Sequence, residues 1–289
     1  MSKLNKIDVI CPLYNAENDL ENIHGFVSMQ KNMNIENIFY ILTRSTDNTE
    51  EKLSKLQKED SRIKVDVIEK ENFSHSLTRE RIAMKSKSDI LIFITQDIVI
   101  KDENCFANLV KPIIEQEAEA TYARQIAKHN NIEKYTREFN YPEESYIKTK
   151  ADVPNMGLKT FFFSDACAAI KTNIFQELNG YDGKDMPINE DMYFSYKLIM
   201  NGYRIRYTAE AVIYHSHKLS IIKLYRRYKQ SGKFFKQNEF LDNYGTIKSG
   251  SSMAIYIFKR IIQEHKFYLL LIYPFDMIAR IVGMKVGKL

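Results

Sequence analysis

Tryptophan is absent from this 289-residue chain, and cysteine occurs only at Cys11, Cys105 and Cys167. The three thiols stand far apart with no CxxC pair. That spacing argues against a disulfide framework or a cysteine zinc site and fits a reducing cytoplasm. Long apolar runs are also missing. The longest, FYLLLIYPF at 267–275, has nine residues, well short of the roughly 20 that span a bilayer. The start, MSKLNKIDVICPLYN, has no signal-type apolar region or cleavage pattern. GxxxxGK[ST], GxGxxG, GxSxG and HExxH are all absent, so P-loop, dinucleotide and common hydrolase readings have no support. There is no internal repeat and no low-complexity segment.

What is present is ordinary in amount and unusual in placement. Hydrophobic residues make up 44% and charged residues 27%, enough for one large α/β domain with an appendage, or two small domains. Tyrosine (18) and phenylalanine (17) are plentiful, many of them in the second half. Residues 218–289 hold 14 Lys+Arg against 4 Asp+Glu, a net of +10, whereas residues 1–217 hold 28 against 33, a net of −5. A mildly acidic body with a basic, aromatic tail points to an anionic partner surface, membrane or nucleic acid.

Apolar runs at 7–13, 38–42, 64–69 and 89–95 predict strands. Helical spacing at 17–31, through Leu53 and Leu56, and at 78–87 and 104–119 separates and follows them. Asp47 can cap the second helix. Four alternations predict a doubly wound, mainly parallel sheet, whose ligands sit beyond the carboxyl ends of the strands. The segments expected there are PLYNAEN, TRSTDNT, ENFSHSLTRE and TQD. Residues 124–158 lack periodicity and read as an insertion. The pattern then predicts a strand at 161–170, a short helix closed by Gly180, a helix over 190–200, and two strands after Gly202.

Several side chains in these segments have chemistry to offer. Asp97, just past an apolar strand, can bind Mg²⁺ or Mn²⁺, or it can simply form a turn. Glu190 and Asp191 open a helix, where acids suit the dipole. Adjacent first-turn residues point differently, so one can cap while the other acts as a general base. His215 and His217, two apart on a strand, share a face and form a candidate ligand pair. His75 and Arg79 at a strand-to-helix crossover can meet a diphosphate, or stand as an exposed first-turn pair.

The order PLYNAE, STDNT, FSHSLTRE, TQD, FFSDACAAI, INED, YHSH resembles the inverting family 2 glycosyltransferases, and most closely the bacterial rhamnosyltransferases that use dTDP-L-rhamnose. The resemblance covers roughly residues 7–235. It implies a GT-A fold, Rossmann-like with a mainly parallel central sheet flanked by helices, and Mg²⁺ or Mn²⁺ on the donor diphosphate. It implies donor contacts from Pro12, Tyr14 and Asn15, with Gln96 and Asp97 in the place of the family's D-x-D and Asp97 on the metal. Asp191 falls on the catalytic base beside Glu190, Asp165 on a sugar contact, and one YHSH histidine, His217 by preference, on the metal or diphosphate. Two positions depart. Leu42-Thr43-Arg44-Ser45 replaces an acidic motif that binds the base, leaving Thr43 or backbone atoms for that role. Thr95 replaces the first acid of D-x-D.

The resulting expectation is a catalytic domain over 1–235 and a C-terminal helical extension over 236–289. The enzyme is expected to move L-rhamnose from dTDP-β-L-rhamnose to a glycan or polyprenyl-linked acceptor in surface-polysaccharide assembly. It would work in the cytoplasm, peripheral to the inner face of the plasma membrane. The tail would lie as interfacial helices on an anionic leaflet, the alternative being packing on the body or on a second copy in a homodimer. A UDP-hexose or UDP-N-acetylhexosamine donor, or a non-catalytic nucleotide-sugar-binding partner, are the other readings. Nucleic acid is not an expected partner, because no binding module is recognisable.

Overall fold

The first half alternates as its apolar pattern requires. The computed structural model describes residues 5–216 and 219–289, with only the backbone of 246–249. Strands β1 (Lys6–Leu13), β2 (Asn34–Thr43), β3 (Ile63–Ile68) and β4 (Ile90–Ile94) are joined by helices Leu20–Ser28, Thr49–Glu59 and His75–Ala83. β5 (Ala120–Ile126), β6 (Tyr146–Lys148), β7 (Cys167–Lys171) and β8 (Ile205–Tyr214) complete one sheet of order β3-β2-β1-β4-β7-β5-β8-β6. β1 pairs in parallel with β2 and with β4, on opposite sides. The winding therefore reverses between β1 and β4, and a crevice opens beyond their carboxyl ends.

β7 runs antiparallel between β4 and β5. Its entry, Ser164–Ala166, thus sits beside the exit of β4, and the Thr95 N–H donates to Ala166 O (3.2 Å). β8 runs parallel to β5 and brings His215 to the same edge. Apolar clusters on the two faces of the sheet fix this layering. One is centred on Val9, Leu20, Ile92 and Phe106, the other on Phe93, Tyr122, Phe175 and Tyr207.

Four sequence expectations change. The aperiodic stretch contains the end of β5, the helix Ile132–Asn140 and β6. The helix expected over 104–119 is confined to Cys105–Ile114, and β5 follows. The strand expected from 161 starts at Cys167, because Phe161 closes a 3-10 turn and Phe161 and Phe163 reach the core without strand geometry. The two strands expected after Gly202 are one, β8, whose pairing slips between Ala123↔Thr208 and Arg124↔Val212. That bulge absorbs the small residues Ala209 and Ala211.

The C-terminal region is helical. Helix Ile221–Gln237 packs along helix Tyr273–Lys288 through Gly232, Gly283 and Gly287. A Cβ on Gly287 would stand 2.1 Å from Lys229 O and 2.8 Å from Gly232 Cα, so backbone meets backbone there. Arg280 is buried in this seam, bonded to Asp276 (2.5 Å) and the Tyr228 hydroxyl (2.7 Å). Ile257, Ile261 and Leu269 pack on Ile132 and Tyr135 of the body. The outward face keeps Leu271, Phe275, Ile278 and Ile281 exposed, at 77%, 61%, 57% and 56%. Among the described residues no helix is long and apolar enough to cross a membrane.

Candidate active site

A cleft of about 530 Å³ lies at the switch point. Of the candidate residues, Pro12, Tyr14, His75, Arg79, Gln96, Asp97, Asp165, Glu190 and Asp191 line it. His215 lines it too, whereas His217 lies outside the described residues.

The two loops at the reversal are stitched together by one side chain. Gln96 accepts the Tyr14 N–H at Oε1 (2.8 Å) and donates from Nε2 to Tyr14 O (3.0 Å). The amide thereby imitates one rung of a strand ladder where the strands have parted. Asn15, with φ 46°, turns away from the cleft. Its Oδ1 accepts the Thr46 N–H (2.9 Å) and its own N–H donates to Ser45 Oγ (3.0 Å). Asp47 accepts from the Thr49 N–H (3.1 Å) and hydroxyl (2.5 Å), and the Thr49 oxygen accepts the Ala16 N–H (2.7 Å). Thr43 is buried at the end of β2 and outside the cleft lining. Its hydroxyl has no hydrogen-bond partner among the described residues. Arg44, beside it, is tied to Glu69 (3.1 Å).

Asp97 is held from two sides. The Thr95 hydroxyl donates to Oδ1 (2.5 Å), and His215 Nε2 stands 3.4 Å from Oδ2. The other imidazole nitrogen of His215 lies 2.9 Å from Gln125 Oε1. Burial lowers the His215 pKa, against the pull of Asp97, and favours the neutral ring that ligates metals. Thr95 therefore supplies a hydroxyl that orients Asp97, where a second acid would have supplied charge.

Deeper in, three carboxyls surround one guanidinium. Arg79 is buried; its Nη1 lies 3.5 Å from Glu190 Oε1 and donates to His75 O (2.9 Å). Asp165 is buried and accepts from the Tyr181 hydroxyl (2.5 Å). Asn189, at φ 62°, swings the chain into helix Glu190–Met200, and the half-buried Asp191 takes the Met192 N–H at Oδ1 (2.7 Å). Burial first, then the charges of Glu190 and Asp165, raise the Asp191 pKa well above its ordinary value. Burial likewise raises Glu190 and Asp165, each opposed by Arg79. His75 is pushed down to about 4 by burial and by Arg79 and Arg227, so it meets a ligand as a neutral ring. A carboxylate with raised affinity for protons in an open cleft has the character of a general base.

Arg227 and Gln230, on helix Ile221–Gln237, close the cleft from the C-terminal side. In the sequence Arg227 stands out only as part of the basic tail. Nothing in its local pattern separates it from Arg226, and only the helix docking shows which of the two faces inward.

Among the described residues no group of three His, Cys, Asp or Glu could enclose a metal ion. Asp97 with His215 still fits a hard divalent cation that takes one or two protein groups and fills its shell from phosphate oxygens and water.

The Glycosyl transferase family 2 profile matches residues 8–178. The O-antigen chain rhamnosyltransferase RfbN of Salmonella typhimurium is 32% identical over 79% of this chain and 72% of its own. WbaN of Salmonella anatum, of the same description, is 31% identical over 81% and 73%. Among solved structures, a mannosyltransferase of Pyrobaculum calidifontis in complex with GDP-Man and Mn²⁺ superposes at a TM-score of 0.59. It is 17% identical and covers 98% of this chain and 74% of its own. S. aureus TarS 1–349 gives 0.59 at 15% identity, over 80% of this chain and 64% of its own, just under two thirds. The fold is the GT-A fold, and the chain belongs to glycosyl transferase family 2.

Proposed function

We propose that this glycosyltransferase moves L-rhamnose from dTDP-β-L-rhamnose, with inversion, to a hydroxyl of a lipid-linked surface-polysaccharide acceptor. The observation that carries the chemistry is Asp191, a carboxyl of raised proton affinity at the edge of the cleft. The relatives' description as rhamnosyltransferases supports the donor. In the transfer, the acceptor oxygen bonds to the anomeric carbon and its proton passes to the Asp191 carboxylate. The bond from that carbon to the phosphate oxygen breaks, and dTDP departs with the electron pair. The β-linked donor gives an α-rhamnoside. Arg79 and the neutral His75 border the space of the diphosphate, and Tyr14 and Gln96 the nucleoside side. A divalent cation, Mg²⁺ or Mn²⁺, held by Asp97 and His215, would neutralise developing charge on the leaving group. His217 remains a proposed further ligand. Asp165 would hold the sugar end.

The stretch Leu42–Ser45 offers no acid for the base, which keeps a UDP-hexose or UDP-N-acetylhexosamine as the second reading. Calorimetry with dTDP-rhamnose and UDP-sugars, with and without Mn²⁺, decides between them. Tighter binding of any UDP-sugar than of dTDP-rhamnose overturns the rhamnose assignment.

We further propose that the enzyme works on the cytoplasmic side of a membrane, held by Leu271, Phe275, Ile278 and Ile281 with the exposed Lys285 nearby. Apolar surface of this kind beside a cation suits an anionic leaflet. Replacing Leu271, Phe275 and Ile278 by Glu should abolish co-sedimentation with anionic liposomes and leave the melting temperature unchanged. Retained co-sedimentation would refute the membrane proposal.

A further inference from the structure

A second cavity, of about 330 Å³, meets the first at Asp191. The two share Ser164, Ile188, Asn189, Asp191, His215 and Arg227, but Pro12, Tyr14, Gln96 and Asp97 line only the first. The walls of the second come from helix Ile132–Asn140, the Phe162–Phe163 turn and the C-terminal helices. Its volume lies within the roughly 300–1,000 Å³ of small-molecule sites. A base must touch the acceptor hydroxyl and sit across from the departing diphosphate. With the donor over the strand ends, the acceptor is left the side of Asp191 onto which this cavity opens.

The lining also limits what the acceptor is. Two of its arginines are already neutralised: Arg137 by Glu133 (2.9 Å) and Arg280 by Asp276 (2.5 Å). The remaining one, Arg227, has no acidic partner within ion-pair distance among the described residues, but it sits at the junction with the donor cleft. The interior is thus no anion trap. Its apolar surface mixes aliphatic side chains such as Leu158, Ile188 and Met253 with aromatic rings, among them Tyr141, Phe163 and the half-buried Phe162. The C–H face of a pyranose packs on such rings, and its hydroxyls suit the polar rim.

We propose that this cavity is the acceptor site, that it takes a neutral pyranoside, and that the C-terminal helices form one of its walls. The proposal rests on the glycosyl-transfer reading above and names where that reaction receives its acceptor. A tail that serves only as an anchor would not line the catalytic pocket. Here Ser231, Tyr228 and Met284 do.

The test uses the full chain, a panel of octyl glycosides (glucoside, galactoside, mannoside, rhamnoside and N-acetylglucosaminide) and radiolabelled donor. Ser231→Trp places an indole in the cavity. It should lower kcat/KM for each accepted glycoside at least tenfold while the dTDP Kd stays within twofold of wild type. Phe162→Ala should raise the acceptor KM at least tenfold and leave the donor KM within twofold. Acceptor kinetics within threefold of wild type in a Ser231→Trp protein that binds dTDP overturn the proposal. If that variant does not bind dTDP, Phe162→Ala decides by the same limits. Failure of the wild type to bind dTDP-rhamnose would count against the donor reading alone, and the panel is then run with the UDP-sugar that binds. With a bound donor, transfer to none of the glycosides overturns the neutral-pyranoside assignment.

Discussion

Replacing Asp191 by Asn separates catalysis from stability in a way that tests the site's electrostatics. The amide oxygen can still accept the Met192 N–H now held at 2.7 Å, so the helix start survives. What disappears is the base. General-base catalysis contributes about 10²–10⁴-fold, or ~2.7–5.5 kcal/mol of barrier at ~1.36 kcal/mol per tenfold. The same change relieves the fold. Asp191, Glu190 and Asp165 crowd around the single guanidinium of Arg79, and the charges of Glu190 and Asp165 are what raise Asp191 beyond the effect of burial. A carboxyl whose pKa is raised on folding favours the native state while protonated and loses that contribution as pH rises through its folded value. At pH 7.5 the Asn variant should therefore be more stable than wild type, on the order of 1–3 kcal/mol. The gain should vanish at acid pH, where Asp191 is protonated in both states. Urea denaturation at pH 7.5 and about pH 3, below the ordinary aspartate range, reads the stability, radiolabelled transfer the rate, and calorimetry with dTDP confirms an intact donor cleft. Transfer within tenfold of wild type would remove Asp191 from the base role. A variant less stable than wild type at pH 7.5 would refute the picture of excess negative charge.

Asp165→Asn removes one of the charges that raise Asp191 and keeps an oxygen for the Tyr181 hydroxyl. The acid limb of kcat/KM should move to lower pH, and a limb that stays in place would show that the two groups do not interact. Gly287→Val directs a side chain at Lys229 O, 2.1 Å from a Cβ. Overpacking of this kind costs ~1–3 kcal/mol, so the melting temperature should fall, and an unchanged one would mean that the helices separate freely. Lys148 is fully buried over the Tyr122 ring, and burial lowers its pKa from 10.5 to about 7. Wild-type stability should rise with pH between about 7 and 10.5, by at most ~4–5 kcal/mol at ~1.36 kcal/mol per unit. Lys148→Met should flatten that slope in urea titrations, and parallel profiles for the two proteins would contradict the buried-amine account.

Legibility in the sequence followed the physics of burial. Strands β1 and β4 are covered on both faces, so ICPL and ILIFI read as unbroken apolar runs, and the polar residues that end them had to be the ligand edge. Asp97 and Asp191 could be picked out for that reason, one just past a run and the other at a helix start, whereas Tyr14 and Gln96 came only with the family resemblance. Phe161–Phe163 gave the opposite result. Three adjacent aromatics satisfy the core from a turn as well as from a strand, so apolarity alone misassigned their geometry. β5 was hidden because Arg124 and Gln125 interrupt its pattern. Those polar positions bind Glu143 (2.9 Å) and the Ser164 hydroxyl (2.7 Å), long-range partners that no local window contains.

The C-terminal region shows why a charge count alone could not locate function. Its excess of Lys and Arg is one number in the sequence, but the fold divides it among three physical roles. Arg280 is spent inside, bonded to Asp276 and Tyr228, where it locks two helices whose glycines let their backbones touch. Arg227, on the same helix as Tyr228, faces the cleft and adds a smaller push to the burial that lowers the pKa values of His75 and His215. Lys285 stays exposed on the helix that presents Phe275 and Ile278, while Lys288 beside it pairs with Asp242 (2.6 Å). The seam couples these roles. Separating the two helices would withdraw Arg227 from the cleft and Met284 from the second cavity together. Gly287→Val should accordingly weaken transfer more than the Glu substitutions on the outer face, although it lies among no donor contacts. Measuring both variants with an octyl glycoside, free of any membrane, makes the comparison. Equal losses would mean that the helices act on the site only through the surface they present outward.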